Sequence, residues 1–351
     1  MKKAVISGYY GFENFGDEIS LQVIVNALKD SGVNVTVLSS KPDLTSLDNG
    51  VSSFYTFSIF DIVRQIFVSD VLISGGGSLL QDKTSQKSFF YYIFVILVAK
   101  MLGKKVIIFS QGLAPLKSKI SEMILALVLK QVDYISLRDT ESQNYAQKLG
   151  AKSKTFSDAV WALGKSNILR HNKLLIQLRQ WDKFTDEKIA VLAKLIAEKY
   201  KSQKIEILSL QDDKDLEVCQ KLYDALQGNV LDVKVLHGLS TNEIVEAIAS
   251  ARSIVAMRYH ACLLGLKQGL NIMALSYDEK VTNLVKEFSL PYVYVDEELD
   301  LFEMEFKKAI EKFEETRIDP AIARKKEQLA KQSLIELLQN ISNIKKVEAA
   351  E

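Results

Sequence analysis

The stretch Ile254 to Gly265, IVAMRYHACLLG, places Arg258 and His260 between a strand-like apolar run and a helix-like one. A guanidinium recognises carboxylate or phosphate through paired hydrogen bonds, and an imidazole exchanges a proton near neutral pH. At the start of a helix the unpaired backbone amides add to the attraction for an anion. Together these groups suit an anionic substrate that needs acid–base help. A second cation, Arg179 in IQLRQW (Ile176 to Trp181), ends another apolar run. It either shares a pocket with Arg258, so that the two hold a doubly anionic small molecule, or pairs with Asp182 or another nearby acid. Ser276 in LSYDEK closes a further run and is a candidate ligand contact, whereas His171 and His237 lack such company and read as incidental.

The N-terminal half offers a different chemistry. SGYYGFENFGDE, Ser7 to Glu18, follows an apolar run where a dinucleotide loop would lie, yet its glycines miss the G-x-G-x-x-G spacing. Asp17 and Glu18 fall in the first turn of the next helix, where they suit the helix dipole and repel a phosphate. The loop is therefore a poor anion cradle. With Gly11 and Gly16 shaping the turn, Asn14, Asp17 and Glu18 read as ligands for the hydroxyls of a polar acceptor, one acid being able to take a proton. The alternative is a tight turn whose acids only cap the helix. Gly76 and Gly77 in SGGGS, Gln111 in SQG and Arg138 in SLRD close further runs of the same half and join the acceptor set. A glycine run lets a ligand approach the backbone or simply turns the chain. Arg138 touches the acceptor or pairs with Asp139 or a neighbouring helix.

Those positions need a scaffold that ends strands side by side. Short apolar runs alternate with helix-period segments for nearly the whole length, the pattern of parallel sheets covered by helices. One series of strands runs from Ala4–Ser7 to Thr155–Phe156 and a second from Leu174–Leu178 to Tyr292–Val295. STNE at Ser240 has capping-box spacing and fixes one helix start. The fold class predicted is α/β, two Rossmann-like domains facing each other across a cleft, with a C-terminal helical segment. The divisions are 1–165 on the acceptor side, 166–300 on the anion side, and a tail 301–351 ending in KKVEAAE, with Gly164–Lys173 as the linker. Ligands of such sheets bind outside the carboxyl ends of the strands.

Composition narrows the classes. Hydrophobic residues make up 48% and charged residues 25% of the 351, as in ordinary globular proteins, and the formal net charge of +1 removes the basic footprint that nucleic acid requires. Cys219 and Cys262 lack metal-type spacing and read as buried free thiols in a reducing cytoplasm. Lys2-Lys3 leads into a short strand-like run, unlike a secretory signal. The run FFYYIFVILVA, Phe89 to Ala99, is too short to cross a bilayer, which needs about 20 residues. It reads as a helix buried against the sheet, with docking on a membrane face as the alternative.

Taken in order, GYYGFENFGDE, SGGGSLLQD, SQG, SLRD, LRQW and MRYHA resemble the polysaccharide pyruvyl transferase family, in particular its CsaB-like branch, from Met1 to the neighbourhood of Leu290. The chain departs from the expected pattern at Ile19-Ser20 and at Tyr259 to Cys262. The resemblance implies a GT-B-like pair of domains and transfer of pyruvate from phosphoenolpyruvate to a sugar as a cyclic ketal, with release of phosphate. For the CsaB-like branch it implies a lipid-linked disaccharide precursor of a cell-surface polysaccharide, handled in the cytoplasm at the inner face of the membrane. By the same resemblance Arg179 and Arg258 hold phosphoenolpyruvate and His260 is the general acid or base, while Ser276 joins the phosphoenolpyruvate side from its place at a strand exit alone. No metal and no cofactor are expected, phosphoenolpyruvate being a co-substrate. The competing readings are a GT-B glycosyltransferase with a nucleotide-sugar donor and a non-catalytic sugar- or carrier-binding protein.

Overall fold

A computed structural model describes residues 1–82 and 85–343 of the chain. The end of the expected tail, from residue 344, lies outside the described residues. Two compact units emerge: Met1–Leu163 with the described residues from Lys325 onward, and Gly164–Arg324.

In the first unit the order is β1 (Lys3–Ser7), α1 (Phe15–Asp30), β2 (Asn34–Ser39), α2 (Pro42–Asn49), β3 (Ser52–Tyr55), α3 (Ile59–Phe67), β4 (Val71–Gly75), α4 (Gln86–Met101), β5 (Lys105–Gln111), α5 (Lys119–Leu129), β6 (Tyr134–Leu137), α6 (Thr140–Lys148) and β7 (Lys154–Thr155). The strands form one parallel sheet in the order β3-β2-β1-β4-β5-β6-β7. Because side chains alternate along a strand, Ile108 packs with α3, α4 and α5 on one face while Ile107 and Phe109 pack with α1 on the other. Most of the Phe89–Ala99 run is buried in α4 against the first of these faces. Among the described residues no helix is long and apolar enough to cross a membrane.

Three elements between Pro42 and Phe67 have no counterpart in the sequence reading. α2 buries only Thr45, and β3 is an edge strand without a buried side chain, so neither shows an apolar signature. α3 is hidden for another reason. Its apolar residues share one broad arc, of which Ile62 and Ile66 face the core while Ile59, Phe60, Val63 and Phe67 face outward, and its nine residues are shorter than the window over which a helical period shows.

The second unit contains β8 (Lys173–Gln177), α7 (Asp186–Tyr200), β9 (Lys204–Leu208), α8 (Asp212–Leu226), β10 (Asp232–Leu236), α9 (Thr241–Ala249), β11 (Ser253–Ala256), α10 (Tyr259–Gln268), β12 (Asn271–Ser276), α11 (Glu279–Glu287), β13 (Tyr292–Tyr294) and α12 (Leu299–Lys312). Its parallel sheet runs β10-β9-β8-β11-β12-β13. The capping box predicted at Ser240 is formed with Glu243 at the start of α9. Cys219 and Cys262 are free and buried. The segment read as a linker is tied into this unit, with the Ser166 N–H donating to Gln268 Oε1 and the His171 N–H to the Ser250 carbonyl.

The segment from Asp300 divides between the units. α12 sends Phe302, Phe306 and Ile310 into the core of the second. A last helix, α13 (Pro320–Ser342), belongs from Lys325 to the first unit. There Leu337 and Ile341 are buried on the α1 face, Tyr134 Oη donates to Glu336 Oε2 at 2.7 Å, and Lys105 Nζ donates to the Asn340 carbonyl at 2.6 Å. Removing a buried leucine side chain costs about 2–5 kcal/mol. Leu337→Ala should therefore lower the denaturant midpoint of the first unit, followed by fluorescence of the buried Trp161 in a Trp181→Phe background; an unchanged midpoint would show that α13 adds nothing to this fold.

Candidate functional site

Each sheet reverses its strand order once, beside its first strand, and a crevice opens where the two connections leave in opposite directions. In the first unit this point lies between β1 and β4, in the second between β8 and β11. Asn14, Asp17, Glu18, Gly76 and Gly77 follow the strands of the first point and Arg179, Arg258 and His260 those of the second, while Gln111 and Arg138 close β5 and β6 and Ser276 closes β12.

In the first unit the loop after β1 meets the loop after β4. Gly11 has φ of +78°, and a Cβ there would fall 2.3 Å from Ser39 Oγ and 2.5 Å from the Lys41 backbone nitrogen, so only glycine fits. Its N–H donates to Glu18 Oε1 at 2.8 Å, which draws the loop over the start of α1. Asn14 is the N-cap, its Oδ1 accepting from the Gly16 N–H at 3.2 Å. Gly77, at φ of +65°, has no room for a side chain either, because a Cβ would lie 2.3 Å from Asp17 Oδ1. The backbone at Gly76 runs against Ser20 of α1. Burial is the main force on the Glu18 carboxyl and lifts it from 4.5 to about 8; the Gly11 hydrogen bond opposes the rise, and Asp17, Asp48 and Glu13 add to it. Tyr10, wholly buried and donating to the Gly75 carbonyl at 2.5 Å, is raised by burial and then by Asp17 and Glu18.

The loops after β5 and β6 adjoin this group. Between Ile108 and Gln111 the β5–β6 register shifts, and Ser110 takes φ of +52°, strained for a residue with a side chain. The shift buries Gln111 completely. Its Nε2 donates to the Ser74 carbonyl at 2.9 Å and to Ser74 Oγ at 2.8 Å, and its Oε1 accepts no hydrogen bond among the described residues. Arg138, nearly buried, lies with Nη1 3.3 Å from Asp158 Oδ2, Nε 3.6 Å from Asp139 Oδ2, and Nη2 donating to Ser78 Oγ at 3.2 Å. The pairing with Asp139 that the sequence left open is therefore present, and Asp158 is a second carboxylate on the same guanidinium.

In the second unit β8 and β11 are neighbours, with Gln177 opposite Ala256. Gln177 Oε1 accepts the Arg258 N–H at 2.8 Å and so fixes the start of α10. Arg258 is the N-cap and makes no side-chain cap bond; its guanidinium turns instead to Asp215 in the first turn of α8. Nε and Nη2 donate to the two carboxylate oxygens at 2.8 and 2.6 Å, a bidentate pair in which Asp215 is fully buried. Arg179 Nη1 donates to Tyr277 Oη at 2.9 Å, with the guanidinium 5.1 Å from the ring centre, and the Trp181 ring lies tilted against that tyrosine at 5.0 Å.

Both arginines act on the same neighbours. Burial raises Asp215 above its ordinary range while Arg258, and more weakly Arg179, pull it back; burial likewise raises Tyr277 against the pull of both guanidiniums. Among the described residues no protein group engages Arg258 Nη1 or Arg179 Nε and Nη2, which leaves donors for a ligand. His260 stands two residues after Arg258 in the first turn of α10, its ring edge-on to Tyr259 at 5.1 Å. Ser276 is buried at the β12–α11 junction, its Oγ 2.6 Å from Thr282 Oγ1. Asp215, Gln177 and Tyr277 escaped the sequence reading. The DDKD run around Asp215 looks like helix-start acids, and nothing local says that one of them turns inward to a cation 43 positions away.

A family profile described as polysaccharide pyruvyl transferase matches residues 14–279. No curated protein sequence matches the chain. Among solved structures, the UDP-GlcNAc 2-epimerase of Methanocaldococcus jannaschii is 13% identical with a TM-score of 0.67, over 97% of this chain and all of that one. A putative UDP-N-acetylglucosamine 2-epimerase of Listeria monocytogenes is 10% identical with a TM-score of 0.68, over 97% and 96%. Anabaena Alr3699/HepE, solved with UDP and glucose, is 12% identical with a TM-score of 0.60, over 97% and 98%. At these identities the likeness is one of fold, and the fold is GT-B-like.

The environment of Glu18 has a measurable consequence. A carboxyl whose folded-state pKa lies near 8, against 4.5 when exposed, burdens the native state as pH rises through that interval and leaves it untouched below. Glu18→Gln, which keeps an acceptor for the Gly11 N–H, should therefore gain stability relative to the natural chain between pH 4.5 and 8, with equal stabilities at the acid end. Denaturant titrations at several pH values check this, and parallel profiles would contradict it.

Proposed function

The chain belongs to the polysaccharide pyruvyl transferase family, and from that premise we propose that it moves pyruvate from phosphoenolpyruvate onto two hydroxyls of a sugar in a cell-surface polysaccharide precursor, as a cyclic ketal with release of phosphate. In this reading it is a CsaB-like member whose acceptor is a lipid-linked amino-sugar disaccharide, met at the inner face of the membrane. The observation that carries the proposal is the pair of guanidiniums at the β8–β11 crevice, held by Asp215 and Tyr277 with donors to spare, in reach of the start of α10.

The chemistry assigns each group a task. Two arginines against one carboxylate leave net positive charge for the phosphate and carboxylate of phosphoenolpyruvate, and α10 adds its amide end. His260 delivers a proton to the methylene carbon, which becomes the methyl group and leaves the adjacent carbon electrophilic. One sugar hydroxyl adds to that carbon and gives up its proton. The second hydroxyl displaces phosphate, which departs with the remaining proton, and the ring closes. Arg179 and Arg258 stabilise the charge that gathers on the departing phosphate, as fixed donors do without reorganisation.

The acceptor belongs to the first unit. Asp17 supplies acceptors for sugar hydroxyls, while Gly76 and Gly77, which make room for Ser20 and Asp17, and the buried Gln111, bonded to Ser74, set the loops around it together with Arg138. Asn14 and Gly16 set the start of α1. Glu18, raised by burial to about 8, takes the hydroxyl proton in its ionised form, the minor form at neutral pH, so that turnover rises with pH toward that value. Ser276, committed to Thr282, positions the β12–α11 turn.

A second reading, a glycosyltransferase with a nucleotide-sugar donor, draws on the UDP complexes of proteins with this fold. Incubation with phosphoenolpyruvate and a panel of lipid-linked amino-sugar disaccharides, followed by mass spectrometry, separates the two. Gain of one pyruvyl ketal with stoichiometric phosphate is expected; consumption of a nucleotide sugar with phosphoenolpyruvate untouched would overturn the proposal. His260→Ala should lower kcat by roughly 10²–10⁴ with the circular dichroism spectrum unchanged. Arg179→Ala should raise the KM for phosphoenolpyruvate roughly tenfold to a hundredfold, and wild-type kinetics in either variant would contradict the assigned roles.

A further inference from the structure

On one face of the first sheet α3, α4 and α5 lie in a single layer, α4 packed against both of the others. Each buries one stripe of side chains in the core and turns a second apolar stripe outward. On α3 the outward residues are Ile59, Phe60, Val63 and Phe67, with Phe60 73% and Phe67 64% exposed. On α5 they are Ile120, Met123 and Leu127, each more than half exposed, and α4 contributes Phe90 and Met101. Apolar residues scattered singly over a surface need no explanation, but a continuous face spanning three helices does.

The charge around this face is one-sided. The segments 59–67, 86–104 and 117–130 carry Arg64 and six lysines against Asp61 and Glu122, in a chain whose totals are 45 basic and 44 acidic residues. Lys100 is paired with Asp133 at 2.9 Å, and Lys104 lies over the Phe67 ring, 5.6 Å from its centre. Arg64, Lys87, Lys119 and Lys130 are exposed.

We infer that the α3–α5 layer seats on a bilayer containing anionic lipid. Its aromatic and aliphatic side chains enter the boundary between headgroups and acyl chains, and the arginine and lysines stay at the phosphates, their stems covering apolar surface. Charge selects this occupant over a second copy of the chain, because a symmetric pairing of the face would press its basic margins together. The layer is also joined to the opening loop of the site. Phe57 meets Tyr91 of α4 at 5.7 Å and Phe12 at 6.3 Å, and Phe12 stacks on Tyr9 at 4.1 Å. A lipid-borne acceptor would thus present its sugar beside the loop without leaving the membrane; that corollary rests on the proposed function, whereas the seating does not.

Co-sedimentation of the full chain with phosphatidylcholine vesicles, and with phosphatidylcholine vesicles containing phosphatidylglycerol, tests the seating without any turnover. Binding to the anionic vesicles is expected, weakening as salt is raised, with neutral vesicles bound at least tenfold less. Phe60→Glu with Phe67→Glu should lose binding at least tenfold while the melting curve and transfer to a soluble short-chain acceptor stay unchanged. Lys87→Glu with Lys119→Glu, a second variant at exposed positions, should weaken binding and flatten its salt dependence. Absence of binding, equal binding by the phenylalanine variant, or a concentration-dependent dimer that the same variant abolishes would overturn the inference. Vesicle binding without pyruvyl transfer would leave the seating standing and remove only the proposed function.

Discussion

The second unit depends on keeping two like charges side by side at the end of one sheet. Arg179 and Arg258 repel each other, and Arg258 is nearly buried, so water alone does not relieve the repulsion. Asp215 answers this with both of its oxygens on one guanidinium, and Tyr277 holds the other through its hydroxyl and ring. Removing one member of such a buried pair leaves an uncompensated charge and typically costs about 3–5 kcal/mol, although an intact pair need not stabilise the fold. Its retention here suits a binding role: the chain spends a fully buried carboxylate to hold a cation in one orientation while leaving part of that cation unengaged.

The first unit solves the opposite problem. Asp17, Glu18 and the buried hydroxyls of Tyr10 and Tyr92 crowd together where a helix begins, in a place from which water is largely excluded. Charge is relieved there by proton retention. That is why burial lifts the Glu18 carboxyl to about 8. Two units of nearly identical topology thus present opposite electrostatics at the same topological point.

Much of this was legible in the residues. Strand-to-helix alternation pointed to both sheets, and the expected closeness of the first and fourth strands raised a shared pocket for Arg179 and Arg258 beside the alternative that Arg179 pairs with Asp182 or another acid. The proximity of the first and fourth strands of the second unit, on which that shared pocket rests, is realised in the Gln177–Ala256 register. What the sequence concealed were long-range partners. Asp215 looks like any acid at a helix start, Asp158 like part of a polar turn, and α3 is only nine residues long, too short for its one-sided apolar pattern to stand out. α13 looked like a tail because nothing in a charged amphipathic helix names the sheet it returns to.

The central claim is that a small, multiply charged donor sits at the β8–β11 crevice between the two guanidiniums. A crystal structure of the chain grown with phosphoenolpyruvate measures this directly. The account predicts ligand density within hydrogen-bond distance of Arg179 and Arg258 Nη1, with the methylene carbon on the His260 side. Density for the ligand at the acidic loop of the first unit, or none at the arginines under conditions that support turnover, would contradict it.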